Sequence, residues 1–223
     1  MKSLQKPENK DLAIPSAPLG LENVDNSDLV FPRLILTQAL SKFVTEDGMK
    51  SGVYVNSLTK TVVDPVFVPV ISSKYWDLLK PEGGRMVFEA RVTDENDPRL
   101  EGRQMWTDGD KKANVNTVIA VIALLDGSPV VVPFTKSSFK AGKTLLTMAK
   151  MNKGPFFSHT YKLAAKKETK ASNVYYVTEV SDLGQTPQEA QAQAYDLYKS
   201  LAPKAKHINS AGMGGDEVEE VPF

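Results

Sequence analysis

The densest chemistry in this chain is cationic. Between Lys136 and Lys170 stand Lys136, Lys140, Lys143, Lys150, Lys153, Lys162, Lys166, Lys167 and Lys170, with Glu168 as the one acid. Over the whole chain 27 basic residues balance 27 acidic ones, so the excess of lysine is local. Its counterweight is the C-terminal end, where Asp216, Glu217, Glu219 and Glu220 occur without a base before Val221-Pro222-Phe223. A basic stretch and an acidic tail on one chain point to a polyanionic partner. The plainer alternative for the lysines is a solvated face. The tail has its own chemistry. A terminal ring can enter a pocket, its carboxylate can meet an Arg or Lys, and the acids before it can steer the encounter. The alternative there is an acidic end with a chance phenylalanine.

Groups that could carry out catalysis are thin by comparison. Ser137-Ser138-Phe139-Lys140-Ala141-Gly142-Lys143-Thr144 looks like a phosphate-binding loop, but Ser137 stands where GxxxxGK[ST] needs glycine. No later strand offers an aspartate for magnesium, and the stretch could at most hold one phosphate at a helix N-terminus near Lys143. Asp94, Glu95 and Asp97 beside Pro98, and Asp108 and Asp110 around Gly109, read as solvated turns. A metal-dependent nuclease would need such acids gathered on a divalent ion. The chain has no cysteine, which removes disulfides, thiolate metal sites and cysteine nucleophiles. It has two histidines, His159 and His207, of which His159 is expected to pack or stack rather than to ligate. The expectation is a protein without catalytic residues, metal or cofactor.

These groups need elements to position them. Residues 1–29 read as a mobile arm broken by Pro7, Pro15 and Pro18. A folded domain is expected over 30–202 and a flexible acidic tail over 203–223. Strand signals cover Arg33 to Leu36, Gly52 to Asn56, Arg85 to Val92 and Asn114 to Leu125. A turn at Asp126-Gly127-Ser128 then leads into Pro129 to Phe134. Thr61 to Val70 holds Pro65 and Pro69 and suits an edge strand or a bulge. A helix from about Ser138 to Met151 precedes two more strands, Phe156 to Leu163 and Asn173 to Val180, separated by a polar loop around Lys166 to Ser172. Thr186-Pro187-Gln188-Glu189 predicts a capped helix running to Leu201, with a narrow apolar stripe on the surface. The longest apolar run, Val118 to Leu125, is far short of the roughly 20 residues of a membrane helix. The N-terminus lacks the apolar core of a signal peptide, so a cytoplasmic location is expected. Many strands with one helix before the last pair predict a mainly β fold, an antiparallel barrel of the oligonucleotide-binding (OB) kind followed by a C-terminal helix. An open β-sandwich fits almost as well.

With its glycine-rich lead-in at Gly212, Gly214 and Gly215, the tail resembles the tails of bacterial and bacteriophage single-stranded DNA-binding proteins. Those proteins carry OB bodies and end in acids followed by a terminal phenylalanine, often as Pro-Phe. The likeness covers about a dozen residues, and the layout looks more like a bacteriophage version. It implies a protein that coats single-stranded DNA in replication, recombination or repair. It also implies replication or recombination partners for the tail at Asp216, Glu217, Glu219, Glu220, Pro222 and Phe223. No membrane partner is expected, and a homo-oligomer is open. The body should then carry a groove of lysines for the backbone and aromatic faces for the bases. The chain interleaves both: Lys74-Tyr75-Trp76, Arg85 and Arg91 around Phe88, Arg103 with Trp106 and Lys111, Lys136 with Phe139, Lys140 and Lys143, then Lys150, Lys153 and Tyr161-Lys162. Phe88, Phe134 and Tyr175 are read as core. Trp76 and Trp106 sit among polar neighbours and are the aromatics expected to be exposed.

Overall fold

Three short strands open the fold: Leu34–Leu36 (β1) pairs antiparallel with Tyr54–Asn56 (β2), and β2 with Thr61–Val62 (β3). A single turn of helix, Lys42–Thr45 (α1), lies between β1 and β2. This computed structural model describes residues 30–83, 85–105, 114–170 and 173–202.

The second sheet is built on Val66–Glu82 (β4), a strand of 17 residues. Along one edge β4 pairs from Phe67 to Leu78 with Val115–Leu125 (β6). On its other edge it pairs at Val66 and Phe67 with His159–Lys170 (β8), and from Trp76 to Glu82 with Arg85–Val92 (β5). Ser128–Thr135 (β7) flanks β6, and Asn173–Gln185 (β9) flanks β8, which gives the order β7-β6-β4-β8-β9 with β5 as a branch. Pro69 therefore lies in a central strand rather than an edge strand. Two local features let it stay there. The ladder to β6 is bulged between Pro69 and Ile71, and Pro69 falls in Val68 to Tyr75, where the other edge pairs with no strand among the described residues.

The β6–β7 turn follows its sequence signal. Leu125 pairs with Ser128, and the two loop residues Asp126 and Gly127 both have positive φ, 49° and 74°, the twist a two-residue hairpin requires. The polar segment from Lys166 to Lys170 is strand rather than loop, and two of its charged side chains find partners across the β8–β9 hairpin. Lys166 Nζ lies 2.9 Å from Glu179, and the Tyr175 hydroxyl donates to Glu168 directly opposite it at 3.0 Å.

Phe139–Met151 (α2) precedes the last strand pair, and Gln188–Leu201 (α3) ends the described chain. The two helices cover opposite faces of the sheet. Ala141, Leu145, Leu146 and Ala149 of α2 join Phe67, Ile119, Val121, Phe134 and Tyr161 in the main core. Ala190, Ala194, Leu197 and Leu201 of α3 lie on Val68, Val70, Leu124 and, further along, Tyr75, Val118 and Ile122. The expected capping box of α3 does not form. Thr186 is instead buried, with its hydroxyl 3.1 Å from that of Thr160 and its carbonyl accepting from the Gln191 amide at 2.7 Å.

The fold is thus mainly antiparallel β, with a helix before the last strand pair and a C-terminal helix. The ladder is not closed into a barrel by strand pairing: among the described residues β7 and β9 are its two ends. The first sheet bridges them. Val131 of β7 donates to the Pro32 carbonyl at 2.8 Å beside the parallel bridge Arg33–Val131. At β9, the Gln38 side chain donates to the Tyr176 carbonyl and accepts from the Tyr176 amide, both at 2.9 Å. One side-chain amide so replaces a strand partner. Gly52 closes the same contact: its φ is +79°, and a Cβ there would run into the Tyr176 ring.

Candidate nucleic-acid interface

The predicted site residues separate into four groups. Tyr75, Trp76 and Tyr161 are core. Tyr75 and Trp76 are neighbours in β4 and point to opposite faces, where both are covered. Tyr75 packs with Val118, Ile122 and Leu201. Trp76, 6% exposed despite its polar neighbours, packs with Leu78, Val92 and Val115. Tyr161 is fully buried 6.2 Å from the Phe67 ring, with its hydroxyl accepting from Asn152. Burial pushes the hydroxyls of Tyr75 and Tyr161 above the ordinary phenol range. Base stacking by these three rings is therefore corrected: none presents a face to solvent. The reading of core aromatics changes too. Phe134 is buried, Tyr175 half-buried and Phe88 40% exposed.

A second group is basic but already engaged. Arg91 makes a two-bonded ion pair with Asp77 at 2.7 and 3.2 Å while its guanidinium lies 4.0 Å over the Tyr75 ring. Arg103 bonds Glu89 at 2.6 Å and the carbonyls of Leu79 and Arg99. Lys162 pairs with Asp64 at 2.9 Å. Lys136 sits in the left-handed region at φ 47°, in the turn that leads into α2. Arg91 and Arg103 tie β4 and β5 together, whereas Lys162 makes an exposed pair, and to meet a phosphate each would first have to leave a carboxylate.

The third group is exposed. Helix α2 contains no acid, and its outward face carries Lys140, Lys143, Thr144, Thr147 and Lys150, with Lys153 just beyond its end. Lys143 lies 5.0 Å over the partly buried Phe139 ring. Lys140, Lys143, Lys150 and Lys153 have no ion-pair partner among the described residues. The helix spans roughly 20 Å. Beside it runs a groove of about 340 Å³, lined by Ile71 and Ser72 of β4, Leu146, Ala149 and Lys150 of α2, and Gly154 and Phe156. Lys74 follows Ser72 on the same face of β4, exposed, with its ammonium 4.6 Å over the Trp76 ring. The unpaired stretch of β4 and the lysine helix thus flank one channel.

A fourth group lies outside the described residues: Trp106, Lys111 and the tail residues Asp216, Glu217, Glu219, Glu220, Pro222 and Phe223. Of Arg85, only the backbone in β5 is described.

The sequence reading passed over one aromatic cluster. Phe157, in the turn Phe156–Ser158, lies against Tyr195 and Tyr198 of α3, both well exposed. The signal was there in Gln191, Tyr195 and Tyr198, spaced i, i+4, i+7 alongside the buried stripe of α3.

Other chemistry finds structural explanations. Gly142 of the P-loop look-alike is pressed on Phe134, where a Cβ would lie 2.6 Å from the Phe134 Cβ. Its smallness serves helix–strand contact. Asp97 caps the turn Pro98–Leu100 and is bonded by Arg99, which holds its carboxyl down at about 2. His159 Nδ1 sits 3.0 Å from both oxygens of Asp182. Burial would raise the Asp182 carboxyl, but bonds from His159, the Gly184 amide and Asn152 outweigh it and lower it. Among the described residues no three His, Cys, Asp or Glu are gathered to hold a metal ion, and no helix is long and apolar enough to cross a membrane.

A family model described as Pam3 phage gp34-like protein matches residues 2–207. No curated protein and no solved structure matches the chain.

Proposed function

The chain belongs to the Pam3 phage gp34-like family and is a bacteriophage protein, and we propose that it binds single-stranded DNA without sequence preference in the host cytoplasm. The observation that carries this reading is the α2 face, three unpaired lysines on an acid-free helix with Lys153 just beyond its end, beside a groove. Backbone phosphates would run along Lys140, Lys143, Lys150 and Lys153, with Lys74 across the channel. The protein does no chemistry on the strand. It covers the strand, and its acidic tail ending at Phe223 recruits replication or recombination enzymes.

The test is a titration of fluorescent oligo-thymidine at several salt concentrations, with duplex DNA of equal length as control. Four lysine–phosphate contacts on a single strand give a slope of log K on log salt near about −3. Replacing the four lysines by Gln should flatten it toward zero. Equal affinity for the duplex, or no binding at low salt, refutes the reading.

One observation favours a second reading, a bacteriophage interaction or assembly protein. Tyr75, Trp76 and Tyr161 are buried, and Arg91, Arg103 and Lys162 are ion-paired, so much of the predicted groove serves the fold. That protein would show no preference for single strands, so the same titration separates the two.

A further inference from the structure

Among the described residues Tyr75, Trp76 and Tyr161 offer no face to a single strand, and two exposed tyrosines gather elsewhere around the partly buried Phe157. Phe157 lies between two tyrosines of α3, with ring centroids 6.1 Å from Tyr195 and 6.3 Å from Tyr198 and planes inclined at 49° and 51°. Tyr195 is 50% exposed and Tyr198 39%. Neither hydroxyl has a hydrogen-bond partner among the described residues. The attachment of α3 to the sheet does not account for them, since Ala190, Ala194, Leu197 and Leu201 already make it.

The position of the cluster ties it to the lysine face. Helix α2 ends at Met151, and the chain passes Lys153 and Gly154-Pro155 into the turn Phe156–Ser158. The two phenylalanines of that turn go different ways. Phe156 lines the groove with Lys150, and Phe157 meets α3. One short turn therefore joins the cationic channel to the exposed rings. The charge around the rings is not repulsive to a phosphate chain. Asp196 is neutralised by Lys199 at 2.8 Å, and the same ammonium lies 4.7 Å over the Tyr195 ring.

We propose that Phe157, Tyr195 and Tyr198 form the base-stacking platform for single-stranded nucleic acid, with Lys150 and Lys153 holding the phosphates that lead onto it. This deepens the single-strand reading and rests on it. Stacking on aromatic faces is sequence-tolerant, because every base has a π-face.

The test compares oligo-thymidine with an abasic strand of equal length, which keeps the phosphates and lacks the rings. The wild-type protein should bind the abasic strand at least tenfold more weakly. Y195A/Y198A should lose on the order of 10- to 100-fold for oligo-thymidine. It should lose nothing for the abasic strand, and its salt slope should not change. Y195F/Y198F should bind as wild type. Photo-crosslinking of the unmodified protein to 5-iodouracil oligonucleotides gives a readout independent of variant folding. Adducts at Phe157, Tyr195 or Tyr198 support the platform. Adducts only elsewhere, or an alanine variant that melts normally and binds oligo-thymidine unchanged, overturn it while leaving single-strand binding intact. Absence of any single-strand binding by the wild-type protein refutes the underlying reading instead.

Discussion

Gln38 holds the seam between the two ends of the main sheet, and removing it should have a cost that can be worked from two distances. Its amide makes both hydrogen bonds that a strand would make to Tyr176, each 2.9 Å. A net hydrogen bond contributes about 0.5–1.5 kcal/mol, so Gln38→Ala should destabilise by roughly 2 kcal/mol. For an ordered body of this size that corresponds to a fall in melting temperature of about 4–8 °C. Gln38→Glu keeps the acceptor for the Tyr176 amide but loses the donor and sets a carboxylate against the Tyr176 carbonyl, so it should not restore stability. Thermal melts measure the loss, and hydrogen exchange locates it. The Tyr176 amide should exchange faster in Gln38→Ala, whereas amides of the β4–β6 ladder should change only with global stability. A melting temperature within 1 °C of wild type, together with unchanged protection at Tyr176, would refute the idea that one side chain stands in for a strand.

Two further expectations concern packing and titration. Gly142→Ala sets a methyl against Phe134 and should lower the urea midpoint by the equivalent of about 1–3 kcal/mol, with partial recovery in the double variant carrying Phe134→Leu. Burial, opposed in part by the bond to Thr178, raises the Tyr54 hydroxyl from 10.0 to about 12. Its raised value favours the fold fully below pH 10, and that contribution is lost as pH climbs from 10 through about 12. The total is on the order of 2–3 kcal/mol, so urea midpoints across that window should fall less steeply in Tyr54→Phe.

Local rules made part of this fold legible. The apolar run of β6, the Asp-Gly turn after it and the period of α2 and α3 each lie within a few residues of their place in the structure. β4 was cut short for a physical reason. Its bulge interrupts the alternation, and Ser72-Ser73-Lys74 reads as loop until β6 supplies the hydrogen bonds. The burial of Trp76 was illegible because its cover comes from Val92 and Val115, far along the chain. The same holds for the basic groove: Lys162 finds its carboxylate at Asp64, and Arg103 at Glu89, contacts that no local pattern announces. Lysines on one helix were legible as a face, because a helix presents its own residues together. A ring cluster drawn from a turn and a separate helix was not.

The sharing of β4 also sets an order of events during synthesis. Its hairpin with β5 closes through Glu82 and Arg85, and β6 can dock once Leu125 has been made. β8 and α2, which shield the opposite edge and the Ile119-Val121 face, lie between residues 139 and 170. At translation rates of about 5–20 residues per second, that apolar face stays uncovered on the nascent chain for roughly 2–9 s. The β4 edge from Val68 to Tyr75, which gains no strand partner among the described residues, is open throughout that interval. Nascent copies that met one another in that state could pair by their open edges, so the lag before α2 and β8 are complete is the interval in which strand-edge aggregation competes with folding.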